Sequence, residues 1–184
     1  MKTLQSLFAV AVFSLIVVAA AIYAGVYPIG ADTPHNKLTH WLLETVRERS
    51  IAVASKDISV PDLNRVDLLL EGAVDYNEMC SACHLQPGQQ SSELSLGLYP
   101  APPNFSGDDE AERGDYGGTE QQAQRQFWII KHGIKASGMP AWGPTHSDER
   151  IWAMVAFLQK LPDMSALQYQ VLSQAEMETG KGHH

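Results

Sequence analysis

The chain opens with an unbroken apolar stretch. Residues 4–26 contain no charged side chain, and apart from one glutamine and two serines they are apolar or small. A helix needs about 20 apolar residues to cross a bilayer core, whereas the apolar part of a cleavable signal peptide is nearer 7 to 15. The length favours a transmembrane anchor that comprises residues 1–27. The small residues 19–21 could serve as a cleavage site, so a removed signal peptide remains the alternative.

The single cation ahead of this stretch sets the expected orientation. Lys2 is kept in the cytoplasm by the positive-inside tendency, which places the chain after Tyr27 on the opposite side. A signal peptide would export the same residues. We therefore expect a protein of the bacterial inner membrane whose remaining domain faces the periplasm.

Residues 28–61 are predicted to form a linker and a juxtamembrane helix. Pro28, Gly30 and Pro34 break regular structure in the linker. From residue 38 to 54 apolar positions recur at helical spacing, which predicts an amphipathic helix. Such a helix either packs on the following domain, the interpretation we favour, or leaves an apolar strip exposed for docking. The apolar positions are Leu38, Trp41, Leu42, Val46 and Val53.

Helical periodicity returns three more times, over residues 65–83, 119–134 and 147–161, with Ser147 as the expected cap of the last helix. Between the first two of these helices, residues 86–119 are rich in Gly, Pro, Ser and acidic side chains and are predicted to be loop. So long a loop in a small domain suggests that it wraps a cofactor. The pattern predicts an all-α fold with a domain over 62–164 and a polar tail over 165–184.

The composition and net charge of the chain limit the kinds of molecule that it is expected to bind. The 184 residues are 45% hydrophobic and 18% charged, which suits one compact domain plus extra segments. The formal net charge is -8, and nucleic acid as the main partner is disfavoured because binding to phosphates needs a basic surface. An acidic protein is better matched to partners with a basic docking face.

The sequence MCSACHL contains both cysteines of the chain, Cys80 and Cys83, followed at once by His84. A structural zinc site lacks its second cysteine pair here. A thioredoxin-type dithiol is disfavoured by the adjacent histidine, and a disulfide would close too small a loop to constrain much of the unfolded chain. Covalent attachment of haem explains all three residues, because C-x-x-C-H supplies two thioethers and an imidazole for the iron.

A six-coordinate iron needs a second ligand. Met139 lies between Gly138 and Pro140, in a segment that cannot be helix interior, so its thioether is held in a loop instead of serving as ordinary core. The competing ligands are the other histidines, none of which has a comparable loop setting. They are His35, His40, His132, His146, His183 and His184.

These residues resemble a class I c-type cytochrome, a mostly helical fold with one haem, over about residues 62–164. In that family a glycine and an aromatic residue precede the first cysteine on one helix face, as Gly72, Tyr76 and Cys80 do here. The resemblance implies that this face crosses closely over the last helix of the domain. The matching surface there comprises Met154, Phe157 and Leu158, with Trp152 nearby. The acidic loop over 108–115 and the helix before residue 62 depart from the simplest members.

The resemblance also implies the cofactor and its ligands. One haem c is expected on Cys80 and Cys83, with His84 and Met139 as axial ligands. A proline carbonyl usually accepts the Nδ1 hydrogen of the haem histidine; Pro87 is the first candidate and residues 100–103 contain the second. Four aromatic residues are expected to line the haem, although each could equally be core: Tyr99, Phe105, Trp128 and Trp142.

Iron ligated by protein on both faces has no open position for a substrate, so we expect an electron carrier and not an enzyme. Its partners would be redox proteins of the membrane or periplasm. Two alternatives are a cytochrome subunit of a membrane dehydrogenase or terminal oxidase, which differs only in partner, and a haem-based sensor, which would need Met139 to be displaced easily.

Overall fold

The computed structural model describes residues 2–107 and 120–174, and the statements below concern those residues. They form eight α-helices and one 3-10 helix, with no strand in these two ranges, which confirms the all-α prediction. The helices are α1 (Lys2–Tyr23), α2 (Lys37–Ser55), α3 (Val66–Met79), α4 (Ser81–His84), α5 (Glu93–Gly97), α6 (Glu120–His132), α7 (Asp148–Leu158), the 3-10 helix Leu161–Asp163, and α8 (Ala166–Gln174). The predicted acidic loop over 108–115 and the two C-terminal histidines lie outside the described residues.

The chain divides into two compact units, residues 1–34 and 35–184. The first unit is built on α1, which buries none of its residues. By length and composition α1 can cross a membrane. An apolar helix that exposes all its side chains needs a surrounding other than water, so α1 fits membrane anchoring.

In the second unit α3 and α7 cross at very short range. A Cβ atom added at Gly72 on α3 would lie 2.0 Å from the carbonyl oxygen of Ala153 on α7, so only glycine permits this approach. One turn further along α3, the Tyr76 and Phe157 rings lie 5.3 Å apart. The predicted crossing of the Gly72 face over the last helix is thus confirmed, and the backbone of Ala153 is the closest partner.

Helix α7 forms the centre of the core. The predicted Ser147 cap is confirmed, because its side chain accepts a hydrogen bond from Arg150 N at the start of α7. Residues 151–158 are buried without interruption, which explains why the sequence of this helix reads as apolar on nearly every side. Arg150 also donates two hydrogen bonds to the buried carboxylate of Asp75, at 2.7 and 2.6 Å, and so ties α7 to α3.

The structure differs from the predicted domain end at residue 164. Residues 166–174 form α8, which packs on α3 instead of continuing as a polar tail. Tyr169 is 1% exposed, and its hydroxyl donates a hydrogen bond to Asn77 Oδ1 at 3.0 Å. Burial raises the pKa of Tyr169 to about 12. The apolar residues of α8 lie on more than one side of the helix, with Leu167 and Val171 exposed and Tyr169 buried, so its periodic signal was too weak to reveal this packing.

Helix α2 packs against α6 through one face only. Ile51 and Ser55 are each 2% exposed on this face, and Glu48 forms an ion pair with Arg125 of α6. Just beyond α2, Gln124 donates a hydrogen bond to the Ile58 carbonyl at 2.8 Å. Both predicted alternatives therefore hold in part, because the helix packs on the domain and still leaves large apolar side chains exposed on its other side.

Candidate haem site

The two cysteines and the histidine lie at a break between helices. The sequence predicts one helix through residue 83, but α3 ends at Met79 and the short α4 follows. Cys80 joins the two, since its N–H donates to Tyr76 O at 2.9 Å and its carbonyl accepts from His84 N at 2.8 Å. The three motif side chains are therefore presented from about one turn of backbone.

Tyr76 holds the chain where it leaves this turn. Leu85 adopts a positive φ of 65°, which L residues rarely take, while its side chain is 4% exposed. The Tyr76 hydroxyl donates to the Leu85 carbonyl at 2.7 Å, and burial raises the pKa of Tyr76 well above its usual value. Because that hydroxyl stays protonated, it is a lasting donor that stabilises the strained turn.

The cysteine sulfurs are not bonded to each other. Burial, with a smaller contribution from Asp75, raises the pKa of the Cys80 thiol to about 12. A reactive dithiol needs a lowered thiol pKa, so the redox-dithiol interpretation loses support. Within the two described ranges no group of three or more His, Cys, Asp or Glu side chains could hold a metal ion.

The His84 ring is oriented from both sides. Its Nδ1 lies 2.9 Å from the Pro103 carbonyl oxygen, to which it can donate, and its ring stacks on Phe105 with centroids 4.5 Å apart. Burial lowers the pKa of His84 and outweighs the opposing effect of the Pro103 hydrogen bond. The imidazole is therefore neutral near pH 7, and Nε2 keeps a free lone pair for a metal.

The expected carbonyl partner of His84 was Pro87, and this prediction is wrong. The acceptor is Pro103, within the second candidate segment. Pro87 follows two residues after Leu85, which has a positive φ of 65°. The path of the chain from there to Pro103, 19 residues after His84, could not be derived from local signals.

Met139 lies in a loop that folds back on the end of α6. Trp142 N donates to the Ile130 carbonyl at 3.0 Å, and Ile134 N donates to the Met139 carbonyl at 3.2 Å. Gly133 has φ +64°, and a Cβ there would lie 2.8 Å from Met139 O, so the tight return requires glycine. The loop therefore has a defined backbone, and the Met139 side chain packs partly buried against the core.

A short segment connects the cysteine motif to the methionine loop. The Ser92 hydroxyl, just before α5, donates to the Ala82 carbonyl at 2.5 Å. Just after α5, Leu98 packs so closely on Gly138 that an added Cβ would lie 2.5 Å from Leu98 Cδ2. This connection was not predicted, and the available signal was the capping pattern that begins at Ser92.

The four predicted aromatic residues divide into two pairs. Phe105 stacks on His84, and both Phe105 and Trp142 pack against the core cluster that Cys80 and Met139 also border. Trp128 instead pairs with His132 along α6, with ring centroids 5.0 Å apart. Tyr99 lies against His35, whose backbone N–H donates to the Tyr99 hydroxyl at 3.1 Å. Of the four, Phe105 is the residue for which the structure shows a ring contact with a candidate ligand, His84.

A protein-family model described as cytochrome c oxidase, cbb3-type, subunit III matches residues 67–158. That segment is half of the 184-residue chain, and it runs from the first turn of α3 to the end of α7. It includes both cysteines, His84 and Met139. No curated protein and no solved structure matches the chain.

Proposed function

The chain belongs to the family of subunit III of cbb3-type cytochrome c oxidase, and from this membership we propose that it transfers single electrons through one haem c with His/Met ligation. Covalently bound haem c and haem-based electron transfer are properties of the family. The number of haems, their attachment and their ligands in this chain are our proposal.

In this proposal Cys80 and Cys83 form the thioethers, His84 Nε2 is one axial ligand and the Met139 sulfur is the other. The observation that carries it is the hydrogen bond from His84 Nδ1 to Pro103 O, which leaves Nε2 free beside two unbonded thiols. Further support comes from the loop that positions Met139 and from α5, which connects both halves of the site.

When bound, haem c supplies a one-electron couple between ferrous and ferric iron. His84 and Met139 would hold the iron, which would leave no position for a substrate, so the chain would act as an electron carrier. A methionine ligand raises the reduction potential relative to two histidines. Pro103 fixes the tautomer and orientation of His84.

The location and partners follow from α1 and from charge. We place α1 in the bacterial inner membrane and the second unit in the periplasm, following the orientation of Lys2. The partners are redox proteins that meet the chain in brief encounters. The net charge of -8 favours partners with a basic docking face.

A second candidate is favoured by the family description itself, which names a subunit of an oxidase. The same haem would then pass electrons within one membrane complex instead of between separate proteins. Copurification from solubilised membranes distinguishes the two candidates. A stoichiometric oxidase or dehydrogenase partner that persists through purification indicates a subunit, and a chain that purifies alone indicates a mobile carrier.

The proposal is tested on the full chain purified from membranes. Intact mass should exceed the mass of the polypeptide by one haem, and peptide mapping should place that haem on residues 80 and 83. The ferric spectrum should show the sulfur-to-iron charge-transfer band of methionine ligation. A mass without haem would refute the cofactor, and a spectrum without this band would refute Met139 as the ligand.

A further inference from the structure

Helix α2 has a second apolar face opposite the one that packs on α6. Four of its side chains point outward and remain exposed, and we call them the outer stripe: Leu38 (71% exposed), Leu42 (51%), Val46 (60%) and Val53 (67%). At 100° per residue these positions fall within about 80° of one another, on the side away from Ile51 and Ser55. A soluble helix normally keeps polar residues on such a face.

The acidic residues of α2 also lie on particular faces of the helix, away from the outer stripe. Glu48 forms an ion pair with Arg125 of α6, and Glu44 forms ion pairs with His40 and Arg47 of its own helix. No acidic residue of α2 lies within the outer stripe. In a chain with a net charge of -8, this face is apolar and free of acid.

Arg49 is the one charged side chain within the arc of the outer stripe. Arg49 is exposed, and among the described residues it forms no ion pair. A guanidinium beside an apolar row can extend toward phosphate groups while its stem stays among apolar atoms. The face thus combines apolar contact with a single positive charge.

The connection to α1 keeps this face near a bilayer. Thirteen residues, 24–36, separate the end of α1 at Tyr23 from the start of α2 at Lys37. Fully extended, they reach at most about 45 Å at about 3.5 Å per residue. Trp41, which is 61% exposed next to the outer stripe, is the residue type enriched at membrane interfaces.

We propose that the outer stripe of α2 lies on the surface of the membrane that holds α1, with its apolar side chains among the lipid headgroups and Arg49 on anionic phosphates. Amphipathic helices with a cationic and aromatic border bind interfaces in this way. The proposal goes beyond electron transfer and does not depend on it. Because α2 is fixed to α6, the helix that leads into the Met139 loop, the bound domain keeps one orientation on the membrane.

The test uses the full haem-loaded chain in vesicles of phosphatidylcholine with phosphatidylglycerol. Val53→Cys places one nitroxide label in the outer stripe, and Ala54→Cys is the matched control, one residue along and about 100° around the helix. The unchanged chain serves as the labelling blank, which shows whether the native cysteines take up any label. The relaxation of each label is first measured without oxygen or nickel, so that any contribution of the haem iron can be subtracted.

The measurement compares how strongly oxygen, which concentrates in lipid, and a water-soluble nickel chelate relax each label. We expect the oxygen-to-nickel ratio to be severalfold higher at position 53 than at position 54. Equal, water-like ratios at both positions would overturn the proposal. A label at 53 that is shielded from both reagents would also overturn it, since this result indicates contact with protein, either a second copy or another subunit.

Two further variants keep the result interpretable. Val46→Cys repeats the measurement at another position of the outer stripe, and the haem spectrum of each variant verifies that its site is intact. Arg49→Gln, combined with Val53→Cys, should lower the ratio at position 53 in vesicles with anionic lipid and leave it unchanged in pure phosphatidylcholine. An unchanged ratio in both lipids would show that Arg49 does not contact the lipid phosphates.

Discussion

A single hydrogen bond determines what His84 can do. A neutral imidazole has one N–H and one lone pair, so the donation from Nδ1 to Pro103 O leaves Nε2 as the only possible ligand atom. Stacking on Phe105 limits rotation of the ring. The hydrogen bond to Pro103 and the stacking on Phe105 do not involve the cysteines, although His84 was predicted from the C-x-x-C-H motif alone. The imidazole is therefore oriented by a loop that the motif does not contain.

The proposed role of Met139 is tested by Met139→His. Replacing a thioether with an imidazole should lower the reduction potential by on the order of 0.1 V or more, since axial ligands span about 0.8 V among haem proteins. Potentiometry followed by visible absorbance measures this shift. The sulfur-to-iron charge-transfer band should disappear in the same variant.

The matched control for Met139→His is Met164→Leu. Met164 is partly buried and packs on the same core, but it is not a proposed ligand. Its replacement by a side chain of similar volume should leave both the potential and the charge-transfer band unchanged. If the band survived in Met139→His, or disappeared in Met164→Leu, the assignment of the ligand would be wrong.

Among the helices, the crossing of α3 and α7 tolerates the least change. In Gly72→Ala the new Cβ would meet the Ala153 carbonyl oxygen at 2.0 Å, and this backbone atom cannot rotate away. We expect the helices to be forced apart at a cost of about 2–3 kcal/mol in the free energy of unfolding. Urea denaturation of the haem-loaded protein, followed by circular dichroism, measures the loss.

Gly97→Ala at the end of α5 is the control for that substitution. No atom lies within 4 Å of a Cβ added there, and alanine has the higher helix propensity. Its stability should stay within about 0.5 kcal/mol of the parent protein, as is usual for surface changes. Equal stability of Gly72→Ala and the parent would show that α3 and α7 cross less closely than described.

Attachment of α2 to α6 should depend on Glu48. Replacing Glu48 with Gln removes its ion pair with Arg125, while Glu44→Gln removes only pairs within α2. The Glu48 side chain is 44% exposed, so we expect a loss of about 0.5 kcal/mol, equivalent to roughly two- to threefold faster amide exchange in α2 at pH 7. Hydrogen-exchange mass spectrometry measures this rate. Equal exchange in the two variants would contradict the prediction.

The same ion pair sets a pH dependence. Burial tends to raise the pKa of Glu48, but hydrogen bonds from Arg47 and Arg125 and their charges outweigh it, so the pKa lies below its ordinary value of 4.5. A lowered carboxyl pKa stabilises the folded state above 4.5, and this contribution is lost as the pH falls through the lowered value. The difference in exchange between the parent protein and Glu48→Gln, corrected for intrinsic rates, should therefore vanish in acid.

Short-range patterns predicted most of the helices and much of the site. Gly72 and Tyr76 share a helix face by simple spacing, and Met139 stands out because Gly138 and Pro140 exclude a helix. The failures involve longer paths. Pro103 lies 19 residues after His84 in the sequence and contacts it through a long loop path that local spacing does not predict. The burial of Tyr169 in α8 depends on space beside α3, which no local pattern records.

At the scale of the whole molecule, charge should govern how partners meet the second unit. The chain has a net charge of -8, and the one charged residue of α1 is Lys2. The acidic excess therefore lies in the residues after α1, where we expect redox partners to dock. Electrostatic attraction between opposite charges raises association rates, and salt screens it over about 8 Å at physiological ionic strength. A basic partner should therefore react faster at low salt.

Stopped-flow reduction of a basic redox protein by the reduced chain measures this effect. The second-order rate constant should fall severalfold between low and physiological salt, and with an acidic partner of similar potential it should rise instead. Oxidation by an uncharged small molecule is the control, because its rate should not depend on salt. A salt-independent rate with the basic partner would mean that the surface on which the partner docks does not share the acidic excess of the chain, and the proposed basic docking face would be wrong.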